Sequence, residues 1–307
     1  METTDWLLDS DPALRWQVMR DLLDAPANEV ETERSRIARE GYGATLLAHQ
    51  GQDGYWNGDE WGENGSRKSV LWTLASLRRL GVLPADPLVL EAVERVRSSV
   101  TWHLWDDLPY FHGEVEPCIN GGVLAQNAYF GVLGDGATRL VQRLVDEQLP
   151  DGGWNCQAPH SAVSSFDSTL CVLEGLLEYQ RSVTDPEPAV AAAREDGERY
   201  LLERSLFRRK STGEIAVGRY LNFSFPPYWF YDILRALDYF RDAGGPADPR
   251  LHPALEELES RRGADGRWIA GITWPGEVYL ELDAPHGEPS RWNTLRALRV
   301  LRWAESP

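Results

Sequence analysis

Residues 147–156 read EQLPDGGWNC, and this stretch decides how the chain is read. A helical run ends at Gln148, the chain turns on Asp151-Gly152-Gly153, and a tryptophan and a thiol follow. Asp-Gly is a turn and helix-stop signal. The stretch has two relatives, QGQDGYW at 50–56 and RGADGRW at 262–268. All three share Asp-Gly-x-Trp, and two of them carry Gln three residues before the Asp. Internal repeats of this kind govern the architecture.

Each copy lies between two helical patterns. Short amphipathic runs precede it (44–50, 140–148, 255–262), and richer apolar runs follow it: VLWTLASLRRLGVL, FDSTLCVLEGLLEY and WNTLRALRVLRW. Leu170, Leu173, Leu176 and Leu177 recur at three- and four-residue steps, which is helix periodicity. ALRWQVMRDLLD, NGGVLAQNAYFGVL and YWFYDILRALDYF read the same way. The richer helices begin near residues 13, 67, 119, 166, 228 and 291. The expected fold is all-α: one (α/α)6 toroid over residues 1–307, with six helical hairpins forming inner and outer rings. A closed ring is expected over an open solenoid because neither end looks like a polar cap. No strand is expected to interrupt it.

The composition excludes several classes. A formal charge of −17 repels nucleic acid and anionic lipid, so no nucleic-acid partner is expected. No stretch approaches the ~20 apolar residues of a membrane span. Cys118, Cys156 and Cys171 make an odd count, against a disulfide scaffold, and the start METTDWLLDSDPAL lacks the pattern of a signal peptide. The expectation is a soluble cytoplasmic protein. Thirteen tryptophans call for extensive burial of their rings.

The Gln-x-x-Asp-Gly-x-Trp repeats resemble those of squalene–hopene and oxidosqualene cyclases, and the beta subunits of protein prenyltransferases carry a close variant. The resemblance implies an α/α toroid and an enzyme acting on an isoprenoid-like or other apolar substrate. Class II cyclases protonate their substrate with an Asp-x-Asp-Asp motif at an inner helix start. The matching place here is Ser164 to Thr169, where Asp167 is the acid. Prenyltransferase beta subunits hold zinc with an Asp-x-Cys pair and a later His. The resemblance lays that pair on Glu116-Pro117-Cys118 and the His on Asp167, while the places of the basic diphosphate cradle hold Tyr110 and Gly113.

His112, Glu114, Glu116, Cys118, Cys156 and Asp167 are the densest set of donors along the chain. In a ring, inner helix starts share one rim, so these groups can converge. Glu116, Cys118, Cys156 and Asp167 are the expected metal ligands, with zinc as the cofactor and no nucleotide cofactor. Thiolates and carboxylates suit a tetrahedral zinc with an open position. Asp167, Cys118 and His112 are the expected catalytic groups. Structural readings stand beside these. Cysteine is among the most often buried residues, and Glu116 or Asp167 could cap a helix. Six aromatics between Phe223 and Tyr231 suggest a cavity wall. Phe166, Phe225, Tyr228, Trp229 and Tyr231 are its expected members, with Arg291 as a substrate contact and Arg67, Lys68 and Arg219 as other candidate anion partners. Two other functions remain open at this level: a metal-free acid/base cyclase or dehydratase using Asp167, and a ligand-binding toroid without chemistry.

Overall fold

In a computed structural model the chain is described over residues 2–62 and 65–306. Its helices are α1 (Thr3–Leu8), α2 (Pro12–Asp21), α3 (Ala27–Ser35), α4 (Gly41–Ala48), α5 (Val70–Leu80), α6 (Pro87–Ser99), α7 (Pro117–Tyr129), α8 (Asp135–Asp146), α9 (Phe166–Ser182), α10 (Pro188–Leu202), α11 (Ile233–Ala243), α12 (His252–Ser260) and α13 (Arg291–Ala304). The fold is an all-α toroid. Helices α2, α5, α7, α9, α11 and α13 form the inner ring, and each touches the next. Its closure is chemical as well as steric. The Trp16 indole N–H donates to the Leu80 carbonyl at 2.9 Å, and Arg299 of α13 reaches Gln17 and Asp21 of α2 at 2.8 and 3.0 Å.

The repeated turns lock the outer helices. In each copy the tryptophan is fully buried, and its indole N–H donates to the carbonyl ten residues earlier. The pairs are Trp56 to Leu46, Trp154 to Leu144 and Trp268 to Leu258, at 2.8, 2.7 and 2.8 Å. A buried indole thus brings a large apolar surface and gives a hydrogen bond to a carbonyl in the last turn of the preceding helix. The turn glycines sit at positive φ, +86° at Gly54 and +96° at Gly152. A Cβ there would lie 2.7 Å from the carbonyl oxygen of Arg95 or Asp196, in the following outer helix. Gln50 and Gln148 tie the same neighbours together through the carbonyls of Ala92 and Ala193. In the third copy Arg262 replaces the glutamine and lies over the Trp268 ring. That turn meets α1, where the Thr3 hydroxyl donates to the Asp265 carbonyl, so the outer ring closes on the N-terminal helix.

The structure departs from the sequence reading in three places. A two-residue hairpin (Thr101–Trp102 with Leu108–Pro109) interrupts the helices. Helix α5 begins at Val70 rather than near 67. Helix α11 begins at Ile233, capped by Asp232, rather than near 228. A helix residue directly before proline is disfavoured, and the Asp232 carboxylate accepts the Arg235 N–H at 2.7 Å, which places the start after the aromatic segment. Among the described residues no helix is long and apolar enough to cross a membrane.

Candidate metal centre at the N-terminal rim

All six inner helices start at one rim. Cys118 lies in the first turn of α7, and Cys156 lies in the loop between the Trp154 turn and α9. Two bonds across the start of α9 hold that loop: the Ser165 N–H donates to the Trp154 carbonyl at 2.8 Å, and the Trp154 N–H donates to the Thr169 hydroxyl at 3.0 Å. The other side is set by the segment before α7. Asn120 bridges the backbone N–H and carbonyl of Glu114, and Arg143 of α8 donates to the carbonyls of Glu114 and Val115. The buried Glu114 carboxylate accepts from the backbone N–H groups of Val115 and Glu116. Burial pushes its carboxyl up to about 7, with those bonds opposing the rise. Glu114 therefore shapes the approach to α7.

Among the described residues, Glu116, Cys118 and Cys156 each place a donor atom within 4.8 Å of the others. The Cys118 thiol is 3.6 Å from the Glu116 carboxylate, and the two sulfurs are 2.7 Å apart. The Ser168 hydroxyl lies 3.2 Å from the Cys156 sulfur. Cys118 is pushed up, first by its bond to Cys156 and then by burial. Cys156 is lowered because Cys118, and then Ser168, stabilise its thiolate against burial. The N-terminal end of α7 also favours negative charge here.

The donor set fits zinc. Two sulfurs and one carboxylate oxygen are accepted ligands and leave a fourth tetrahedral position open. Tetrahedral bonds of about 2.3 Å would set the sulfurs about 3.8 Å apart. The observed pair would need to open by about 1 Å.

The other expected site residues lie elsewhere. Asp167 does not join the cluster. Its carboxylate accepts from Arg219 at 3.0 Å, from the Tyr220 hydroxyl at 3.0 Å and from the Tyr231 backbone N–H at 2.9 Å. It ties α9 to the segments before α11, and Ser165, not Asp167, caps α9. His112 packs beside Gly136 of outer helix α8. Glu116 occupies the cap position of α7, but its side chain makes no capping bond.

Most of the aromatic segment fills the rim, while Phe225, stacked on Trp292, also borders a cavity of about 260 Å³ inside the ring. Trp229 packs against Trp61 and Trp72, and the Arg67 guanidinium lies over the rings of Trp72, Tyr228 and Trp229. A mostly apolar space of about 30 Å³ remains between Trp72, Ile119, Trp229 and Cys118, bordered also by the charged group of Arg78, Arg79, Glu174 and Arg235. Phe166 and Tyr231 belong to the core, in ring contact with each other and with Tyr220. Phe225 stacks on Trp292 with ring centres 4.0 Å apart. Arg291 holds α1, donating to the Trp6 carbonyl and lying over its ring. Lys68 pairs with Glu277. Sequence reasoning missed Ser168, whose position one helical step behind Ser165 gave no sign that it faces Cys156.

No family model and no curated protein matches the chain. Among solved structures it is similar to a protein from Actinoplanes, at 17% identity over 96% of this chain and 90% of that one, with a TM-score of 0.48. It is also similar to the type II terpene cyclase MstE from Scytonema, solved with geranylgeranyl dihydroxybenzoate as substrate. That match has 13% identity, covers 85% of this chain and 94% of the other, and has a TM-score of 0.31. At such values neither likeness bears on the chemistry.

Proposed function

We propose that the chain is a zinc-dependent enzyme of the terpene cyclase or prenyltransferase kind, acting on the apolar part of a small substrate at the N-terminal rim. The observation that carries this reading is the convergence of Glu116, Cys118 and Cys156 within 4.8 Å, from two places in the sequence. When bound there, zinc supplies Lewis acidity at its open position. The chain's own residues do the rest. Ser168 orients Cys156, and the α7 N-terminus favours the thiolate form. Asn120 and Arg143 fix the backbone that carries Glu116. Trp72, Ile119 and Trp229 exclude water on one side of Cys118. A small apolar group fits that space, and a long isoprenoid chain would require the aromatic segment to part. Tyr110 and Gly113 in place of a basic cradle favour a substrate other than a prenyl diphosphate.

The test is metal analysis of untagged protein, wild type beside Cys118→Ala and Cys156→Ala. About one equivalent of zinc in the wild type and loss in both variants are expected. Less than about a tenth of an equivalent in the wild type would refute the metal. An acid/base enzyme using Asp167 would instead lose turnover in Asp167→Asn with metal irrelevant. A binding toroid without chemistry would tolerate all three changes.

A further inference from the structure

The opposite mouth of the ring is chemically unlike the rim. A cavity of about 260 Å³ opens inside the ring, and all six inner helices contribute to its wall, mostly from their C-terminal halves, with Phe225 and Trp292 bordering it from the rim side. A water occupies about 30 Å³ of liquid, so the space exceeds that of a single ordered ion or water. Eight arginines reach it (20, 34, 78, 79, 181, 241, 296 and 299) against the carboxylates of Glu178, Asp238 and Asp242. This excess of positive charge sits in a chain of net charge −17.

Asp21, Glu174, Glu178, Asp238 and Asp242 pair with six of the eight arginines, several sharing one acid, and are outnumbered by them. Asp238 alone pairs with Arg241, Arg296 and Arg299. Glu174, just inside, pairs with Arg78, Arg79 and Arg235. Among the described residues, two of these guanidiniums have only uncharged acceptors. Arg34 donates to the Gly81 carbonyl at 2.7 Å and the Tyr129 hydroxyl at 3.1 Å, and Arg181 donates to the Asp242 carbonyl. Arg20 and Arg34 both lie over the Trp16 ring, which holds their planar heads at the cavity. The crowding shows in Arg79, brought down to about 10 by burial and by Arg235, Arg78 and Arg296, against the pull of Glu174. Carbonyl ends of the inner helices offset part of the charge. They leave Arg34 and Arg181 without a carboxylate partner, each with guanidinium N–H groups still to donate, and guanidinium groups match the geometry of oxyanions.

We infer that this mouth is a binding site for a small multivalent oxyanion, held by Arg34 and Arg181 with the neighbouring arginines. The site lies away from the rim cluster, although Arg78 and Arg79 also border the small space beside Cys118, and it goes beyond the proposed zinc chemistry.

The experiment is calorimetric titration of the full chain with inorganic pyrophosphate and with citrate, at matched low ionic strength. Wild type is compared with the double variant Arg34→Gln/Arg181→Gln and with Cys118→Ser. The double variant loses tertiary bonds to Gly81, Tyr129 and Asp242 but leaves no carboxylate unpaired, so its fold is checked by circular dichroism and a cooperative unfolding transition. Saturable binding is expected, weakened about tenfold or more in the double variant and by added salt, and unchanged in Cys118→Ser. Tighter binding of pyrophosphate assigns a phosphoryl ligand, and tighter binding of citrate assigns a polycarboxylate. No saturation by either up to about 5 mM, or equal affinity in the double variant, overturns the inference. Loss of zinc in Cys118→Ser with binding intact would separate the two sites.

Discussion

Two adjacent glycines of α7 should respond to the same substitution with opposite signs. Helices α7 and α9 cross with their backbones in contact. A Cβ on Gly121 would lie 2.5 Å from the Cys171 carbonyl oxygen and 2.7 Å from the Cys171 carbonyl carbon and the Val172 Cα. On the facing helix, a Cβ on Gly175 would lie 2.3 Å from the Gly121 oxygen. These neighbours are backbone and cannot rotate away. Restoring ordinary contact requires the helices to separate by about 1 Å, an overpacking that costs about 1–3 kcal/mol or more. Against that stands the gain of about 1 kcal/mol from replacing a helical glycine by alanine. Gly121→Ala should therefore destabilise by about 1–2 kcal/mol. Gly122 has nothing within 4 Å of a built Cβ, so Gly122→Ala keeps the propensity gain and should stabilise by about 0.5–1 kcal/mol. Urea unfolding followed by circular dichroism measures both. The same separation moves Cys118 relative to the α9 side of the rim, so Gly121→Ala should also hold zinc less tightly. Equal signs for the two variants, or a Gly121→Ala protein as stable as wild type, would refute the close crossing.

Trp154→Phe removes the indole donor and leaves the Leu144 carbonyl buried and unpaired, at an expected cost of about 2–4 kcal/mol in the urea transition. Asp167→Asn should cost about 1–2 kcal/mol by weakening the partly exposed pair with Arg219, yet keep the zinc content of the wild type. Burial pushes the Asp283 carboxyl up to about 6 against the bond from Ser290, so the folded state binds that proton more tightly than the unfolded chain. The contribution of Asp283 is fully favourable only below its unfolded value near 4, and it is lost as pH rises to about 6. Asp283→Asn keeps an acceptor for Ser290 and should gain about 1–3 kcal/mol at pH 7 but nothing near pH 3, read from unfolding midpoints across that range.

The ring was legible because its signals are local and repeated. Each Asp-Gly-x-Trp marks a turn that only a left-handed glycine can make, and each flanking run shows an apolar face at helical spacing. The six inner helix starts could be placed to within a few residues for the same reason. The meeting of Cys118 and Cys156 was open to inference once a shared rim was assumed, since both lie close to inner helix starts. The place of Asp167 was not. Its position in the first turn of α9 is the same whether it faces a metal, caps a helix or pairs with Arg219, and the choice depends on residues 219–231 folding across it.

The aromatic segment and the arginines show the same limit from two sides. Residues 223–231 announce bulk and apolar surface, but whether aromatic rings line a cavity or fill it depends on distances of a few ångströms between separate loops. Trp61 and Trp72 come close enough to fill it. The arginines of α2, α3, α5, α9, α11 and α13 look in sequence like ordinary charged helix positions, each with acids nearby. Sequence by itself determined the repeat, the helical class and the closure of the ring, because those follow from local backbone preference and periodic burial. Tertiary structure decided which donors meet at the rim and which charges are left without partners at the other mouth. Both depend on which side chains from distant turns share one space, and no single stretch of chain encodes that.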